Sequence, residues 1–279
     1  GSKLERHDYT GFELQPSARL LWTPSAHQTV WAASSRAVRT PARYDQDLRS
    51  NFRAISGEDG TPIEIIAFGD SRTKSEELRA YELGYRVRPD KKLVLDIAAF
   101  YNLYDRLTTI EPDQPFFQSD PPPLRLVTPY RFSNQARGES YGLEATANLW
   151  LTRRWRLQGN YSWLRVQLHR YATSQDTVSE GDEGGSPRHQ FQVHSNLTLP
   201  RNLEMDASLY RVSRLPNVGI PGYTRLDLRF GWSVRERLEL SLGLQNLLDN
   251  RHPEFDRIDV LVTTSQAKRS IYAKATWHF

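Results

Sequence analysis

The chain contains no cysteine. Thiolate nucleophiles, cysteine-held zinc, iron–sulfur clusters and disulfides are thereby excluded. Long hydrophobic runs are missing too. A membrane-spanning helix needs about 20 consecutive apolar residues, and no stretch approaches that. Nor is one sign of charge in large excess: 37 Lys and Arg against 33 Asp and Glu leave +4 on 279 residues. Basic and acidic residues alternate rather than forming a stripe, so no nucleic-acid partner is expected. Enzyme signatures are equally scarce. There is no His-Glu-x-x-His, no Gly-x-x-x-x-Gly-Lys and no dinucleotide fingerprint. The histidines, His7, His27, His169, His189, His194, His252 and His278, show no metal-ligand spacing. No catalytic residue, metal site or cofactor is therefore expected. One Gly-x-Ser-x-Gly match exists, Gly138-Glu139-Ser140-Tyr141-Gly142. It runs into an alternating strand, whereas a nucleophile elbow requires a sharp strand-to-helix turn.

What the chain does have is aromatics, 7 Trp and 13 Tyr among them, too many for a solvated coil. It also has period-two alternation along nearly its whole length. Tyr141, Leu143, Ala145, Ala147 and Leu149 oppose Gly142, Glu144, Thr146, Asn148 and Trp150. Leu157, Gly159, Tyr161 and Trp163 oppose Arg156, Gln158, Asn160 and Ser162. Leu238, Leu240, Leu242 and Leu244 oppose Glu239, Ser241, Gly243 and Gln245, and Ile271, Ala273, Ala275, Trp277 and Phe279 oppose Ser270, Tyr272, Lys274, Thr276 and His278. Earlier strands are less clean; Trp31, Ala33 and Ala37 mark one parity of a strand there. The pattern predicts about eleven strands and a stub at residues 3 to 8.

Connection lengths alternate as well. Tight links are expected at Thr23–His27, Pro89–Lys91, Thr152–Arg153, Pro200–Asn202 and Val234–Arg237. Long loops are expected at Arg39–Ser75, Arg106–Leu126, His169–Pro187, Leu215–Gly222 and Asp249–Ala267. A soluble antiparallel sandwich would give one apolar and one polar face. It would not give strands of about 10–15 residues, against a usual 5–6, nor the alternation of short and long connections. Nor would it give a charge in mid-strand on nearly every strand, as at Glu82, Asp96, Glu144, Arg156, Asp206, Asp227 and Glu239. An antiparallel transmembrane β-barrel predicts all three, with apolar residues toward lipid and polar ones toward a wet lumen. Trp22, Trp155, Trp163, Trp232 and Trp277, near apolar strand ends, fit interfacial girdles. The mean hydropathy of −0.65 follows, because only alternate residues need be apolar.

The terminal Phe279, with Trp277 on the same parity, resembles the sorting signal read by the outer-membrane barrel assembly machinery. Longer phrases resemble the TonB-dependent outer-membrane receptor family: Leu14-Gln15-Pro16-Ser17-Ala18-Arg19-Leu20, then Ser35-Arg36-Ala37-Val38-Arg39-Thr40-Pro41, Tyr81-Glu82-Leu83-Gly84-Tyr85-Arg86 and Tyr141-Gly142-Leu143-Glu144. Leu244-Gln245-Asn246-Leu247-Leu248-Asp249-Asn250 and the final strand resemble that family's last signatures, and the phrases run in its order from residue 14 to residue 279.

The resemblance implies that 3–279 is the C-terminal portion of a 22-stranded barrel, with about 11–12 up-and-down strands present and the plug upstream. Gly1-Ser2 reads as a cloning scar. It implies residence in a Gram-negative outer membrane, contact with outer-membrane lipid, assembly by the barrel machinery, and TonB engagement only through the plug. The implied ligand is scarce and large, a ferric siderophore or similar. Residues 127 to 151 are then one descending strand and 154 to 168 its return; without the resemblance, Ala136-Arg137-Gly138 would read as a break.

Ligand recognition is expected in the external loops. Arginine with aromatic side chains suits an anionic, aryl-bearing chelate; the same residues also suit ordinary loop packing. The candidates are Arg43, Tyr44, Arg53, Phe116, Phe117, Tyr130 and Arg131, with Arg39 and Arg49 nearby. Lumenal arginines are expected to pair with cross-strand carboxylates. Two other functions fit the pattern. One is a passive porin-like channel. The other is a barrel hydrolase using His169 or His189 with Asp176, Asp182 or Ser179.

Overall fold

The computed structural model describes residues 1–235, 237–256 and 265–279. Strands dominate it, in the order β1 (Ser2–His7), β2 (Gly11–Ser25), β3 (Gln28–Arg39), β4 (Arg49–Ser56), β5 (Pro62–Phe68), β6 (Glu76–Val87), β7 (Leu93–Pro112), β8 (Phe116–Gln118) and β9 (Arg125–Thr152). After these come β10 (Trp155–Arg170), β11 (His189–Leu199), β12 (Leu203–Val212), β13 (Tyr223–Arg235), β14 (Leu238–Gln245), β15 (Arg251–Pro253), β16 (Gln266–Lys268) and β17 (Ser270–Trp277). One short helix, α1 (Arg43–Asp47), lies in the first long loop. Among the described residues no helix is long and apolar enough to cross a membrane.

Twelve strands form one antiparallel wall, β1-β2-β3-β6-β7-β9-β10-β11-β12-β13-β14-β17. That is the expected eleven plus the stub, which is β1. Among the described residues β1 pairs only with β2 and β17 only with β14, so the path is open at both ends. The five expected tight links fall where alternation stops, all at one end of the wall, and the three-residue turn between β1 and β2 lies at the other; residue 236, in the last of the five, lies outside the described residues. The long loops all fall at the other end. Of the expected loop Asp249–Ala267, residues 257–264 lie outside the described residues.

The register puts each apolar parity on one surface. Leu83, Ala99, Leu143 and Trp163 are successive cross-strand partners, as are Tyr81, Tyr101 and Tyr141. This face is exposed, with Leu83 at 57% and Ile271 at 68%. A continuous exposed apolar sheet face is what a bilayer covers. The opposite, lumenal face holds the mid-strand charges in pairs. Arg86 donates to Asp96 at 2.6 Å, and Arg229 to Asp206 at 2.7 Å and to Glu204 at 3.1 Å.

Tryptophans at the short-turn end (Trp22, Trp155, Trp232 and Trp277) share the apolar face and form one girdle. The girdle at the loop end is mainly tyrosine. Tyr101 lies 6.1 Å from Tyr141 and Tyr141 5.8 Å from Trp163. On β3 the parity differs from the sequence expectation. Ala32 partners Leu83 on the apolar face, while Trp31 partners Gly84 on the lumenal one. A Cβ on Gly84 would lie 2.1 Å from the Trp31 ring, so the missing side chain is what admits the indole.

β9 is a single strand of 28 residues. The expected single strand over 127 to 151 runs unbroken through Ala136-Arg137-Gly138, and the irregularity lies on its partner β7, where pairing shifts between Tyr104 and Thr109 around Arg106 at φ 56. β7 and β9 therefore continue past the wall into the loop region. Because the wall is one layer thick, the buried apolar side chains lie mostly among the outer loops: Ile66, Ala67, Val127, Phe132, Leu215 and Ile220.

Candidate functional site

The outer end of β9 is the spine of a second, small sheet. On one side β5 runs parallel to it, with Ala67 opposite Tyr130 and Phe68 opposite Arg131. On the other side β8 pairs antiparallel, with Phe116 opposite Val127 and Phe117 opposite Leu126. β4 closes the far edge against β5, Arg53 facing Ile65. The run Ile63-Glu64-Ile65-Ile66-Ala67-Phe68 is β-branched and apolar, which is why it pairs here. Ile66 and Val127, both fully buried, hold the sheet together.

Five of the expected ligand residues, Arg53, Phe116, Phe117, Tyr130 and Arg131, are thus on one sheet. Arg43 and Tyr44 lie on α1 beside it. Arg43 is exposed and 3.5 Å from Asp47, and the Tyr44 ring lies 5.5 Å from that of Phe132. Phe117 is 67% exposed and Tyr44 55%. The densest contact involves a residue sequence reasoning missed. Phe68 is flanked by two guanidinium groups, Arg131 at 5.3 Å and Arg49 at 5.5 Å from its ring centroid. Arg131 also donates to Asp113 at 2.5 Å, and Arg49 to Gln118 at 3.0 Å. The Arg131 guanidinium and the Gln114 N–H hold the Asp113 carboxyl below the usual range. Both arginines keep further N–H groups for an acceptor. The strand character of Ile63–Phe68 was the available signal for Phe68.

The β10–β11 loop folds over the lumenal face through carboxylates. Asp176, 1% exposed, accepts N–H groups from Ile110 at 2.8 Å, Val178 at 2.6 Å and Ser179 at 3.0 Å, together with the Ser179 hydroxyl. Burial acts to raise its pKa, but these donors outweigh it and hold the group below its ordinary value. A carboxyl with a lowered folded pKa stabilises the docked loop above the ordinary value near 4 and loses that contribution as pH falls through the folded value. Nicking by an acid-stable protease within residues 171 to 188 is therefore expected to rise below about pH 4. Asp176→Ala is expected to produce the same nicking at neutral pH, by orphaning N–H groups worth about 1–3 kcal/mol. An unchanged cleavage pattern in both would refute the anchoring role.

Further along, β10 overshoots β11, whose pairing ends at Trp163 with His189. The 3-10 helix Ser179–Gly185 covers the exposed edge: Glu183 accepts the Leu168 N–H at 2.6 Å and Glu180 that of Arg170 at 3.1 Å. A lumenal cavity of about 570 Å3 remains beneath, lined by Asn102, Tyr104, Ser140, Val166 and Leu168 among others.

Of the residues in the hydrolase reading, His169, Ser179 and Asp182 line this cavity, while Asp176 and His189 are engaged elsewhere. Ser179 donates to Asp176, and His189 bonds the Tyr161 hydroxyl at 2.9 Å. Ser140, in the middle of β9, bonds Asn102 and Tyr104, each at 3.2 Å. Trp277 and Phe279 are exposed at the free edge, at 58% and 109%.

A single-layer antiparallel wall, apolar outside and charged inside, with short turns at one end and structured loops at the other, defines the transmembrane β-barrel class. The family profile described as "TonB dependent receptor-like, beta-barrel" matches residues 1–247, and the chain belongs to that family. Among solved structures, the ferric enterobactin receptor PfeA of Pseudomonas aeruginosa is similar at 18% identity and TM-score 0.73, over 100% of this chain and 42% of that one. The siderophore receptor PirA of Acinetobacter baumannii aligns at 13% identity and TM-score 0.74, over 99% of this chain and 42% of that one. The ferric-catecholate import receptor Fiu of Escherichia coli K12 aligns at 17% and 0.67, over 96% and 35%. The chain thus spans less than half the length of these receptors.

Proposed function

We propose that this chain is the C-terminal portion of an outer-membrane receptor that takes up a ferric siderophore. The observation that carries the reading is the Arg49–Phe68–Arg131 cluster on the external sheet. Two guanidinium groups beside an aromatic ring offer charge, hydrogen bonds and a stacking face together, as an anionic catecholate chelate requires. Arg53, Phe116, Phe117 and Tyr130 on the same sheet, and Arg43 and Tyr44 beside it, extend the surface. Family membership and the receptors named above support the reading.

The other partners follow from it. Outer-membrane lipid covers the apolar face, the barrel assembly machinery reads Phe279 and Trp277, and TonB acts through a plug outside this segment. The test is fluorescence titration of the receptor with a ferric tris-catecholate. Arg131→Ala and Arg49→Ala are each expected to weaken binding about tenfold, the loss of one charge-assisted contact. Arg43→Ala, whose guanidinium already faces Asp47, should change it less than about twofold. Undiminished binding by the Arg49, Arg131 double variant would remove the cluster from the site.

A further inference from the structure

We propose that the short-turn end of this protein is a docking surface for peptidoglycan, held through the carboxylates of its peptide stems. This goes beyond ligand uptake, and uses only the outer-membrane setting of that reading, in which short turns face the periplasm.

The surface is a row of unpaired bases. Arg88, Lys91 and Lys92 lie in the β6–β7 turn, and Arg153 and Arg154 in the β9–β10 turn. Arg201 lies between β11 and β12, and Arg237 between β13 and β14. All are exposed. Among the described residues none of them has an ion-pair partner. The mid-wall arginines Arg86, Arg225 and Arg229 are, by contrast, each held by a carboxylate. Asp90 is the only acidic side chain in the described turns of this end, and it already accepts the N–H groups of Lys92 at 2.7 Å and Leu93 at 2.9 Å. Arg235 and Glu236 add one charge of each sign.

Arg201 is not there for the sake of its turn. It sits at φ 64 and is followed by Asn202 at φ 59. Glycine or asparagine is favoured in that conformation. An arginine kept against the backbone preference is kept for its charge. Neighbouring turns sit two strands apart, about 10 Å, which is comparable with the Debye length of about 8 Å at physiological salt. The charges therefore act as one positive field along the rim.

Lipid heads, an acidic protein face and a carboxylated polymer all carry the complementary charge. The direction of the row argues against the first. Arg88 continues the lumenal parity of Arg86, Lys92 that of Val94, Arg154 that of Arg156 and Arg237 that of Glu239. These four belong to the mouth of the lumen, whereas lipid heads surround the outside of the wall. The composition of the row argues against the second. The turns hold no Trp, Tyr, Phe, Leu or Ile, so a protein partner finds no apolar anchor. A hydrated polymer with a carboxylate on each repeat needs no anchor, and it lies across one turn after another.

Co-sedimentation with purified sacculi tests this, using the receptor in phosphatidylcholine nanodiscs, which present no anionic lipid. The wild type should pellet with sacculi at about 50 mM salt and be released at about 500 mM, where exposed charges are screened. The Arg88→Gln, Lys92→Gln, Arg154→Gln, Arg237→Gln variant loses four exposed pairs, each worth about twofold, and should bind roughly fifteenfold more weakly. The Arg88→Lys, Lys92→Arg, Arg154→Lys, Arg237→Lys variant keeps the charges and should keep the binding. Sacculi whose carboxylates have been amidated should not bind. Undiminished binding by the glutamine variant, loss by the charge-keeping variant, or binding to amidated sacculi would each overturn the proposal. So would capture of soluble periplasmic proteins or of phosphatidylglycerol vesicles in place of sacculi. A protein that does not fractionate with outer membranes would instead contradict the localisation on which both readings rest.

Discussion

Replacing Leu242 by arginine is expected to cost about 2–4 kcal/mol of barrel stability, and replacing its neighbour Ser241 by arginine less than about 1 kcal/mol. The two residues are adjacent on β14, but the pleat sends them to opposite faces. Leu242 partners Phe230 and Ala273 on the apolar side and is 40% exposed there. A guanidinium at that position must enter hydrocarbon or distort the bilayer to escape it. Ser241 partners Gly231 and Lys274 and shares a lumenal hollow with Glu204, Glu239 and Arg229, so an arginine there meets water and charges of both signs rather than hydrocarbon. Urea titration in bilayers, read by the gel mobility of folded and unfolded barrel, measures both. Equal effects would mean that β14 has no lipid-facing side.

The wall was legible because its physics is local. Period-two alternation reports which face meets lipid, and turn length reports which end carries the structured loops. Neither depends on long-range packing, since each strand touches only its two neighbours. Ambiguity arose where a neighbour overrides the pattern. Trp31 reads as an outward residue on its own, and only the missing side chain of Gly84 on the next strand lets it turn inward. Ala136-Arg137-Gly138 taken alone reads as a break, yet β9 is continuous there and the register shift lies on the partner strand around Arg106.

The outer loops were less legible for the same reason. Arg131 and Tyr130 stand out as an arginine beside an aromatic, but nothing near them in sequence points to Phe68, which reaches Arg131 through a parallel pairing across more than sixty residues of chain. Asp176 is a comparable case. In the sequence it stands as one acid of a possible catalytic pair, whereas its oxygens are taken up by N–H groups of Ile110, Val178 and Ser179. Residue type announced polar chemistry at both places. The partners that give it meaning come from strands brought together by the fold.

Glycines in the wall show the same dependence and give the sharpest contrast in expected stability. Gly142 and Gly159 are both mid-strand, on adjacent strands, in sequence contexts that look alike. A Cβ on Gly142 would lie 2.2 Å from the carbonyl oxygen of Trp163 and 2.7 Å from the Phe100 ring. The phenyl ring could turn away, but the carbonyl belongs to the β9–β10 ladder, where Leu143 pairs with Trp163 and Gly142 with Leu164. Making room means parting two strands whose hydrogen bonds no solvent can replace inside a bilayer. Gly142→Ala is therefore expected to cost about 3 kcal/mol or more. Gly159, on the apolar face of β10, has no atom within 4 Å of the same position. There, alanine removes conformational freedom from the unfolded chain and adds apolar surface toward lipid, so Gly159→Ala should stabilise by about 0.5–1 kcal/mol. The urea midpoints of the two variants should move in opposite directions from wild type. A Gly142→Ala protein as stable as wild type would mean that β9 and β10 do not approach as closely at Trp163 as this register requires.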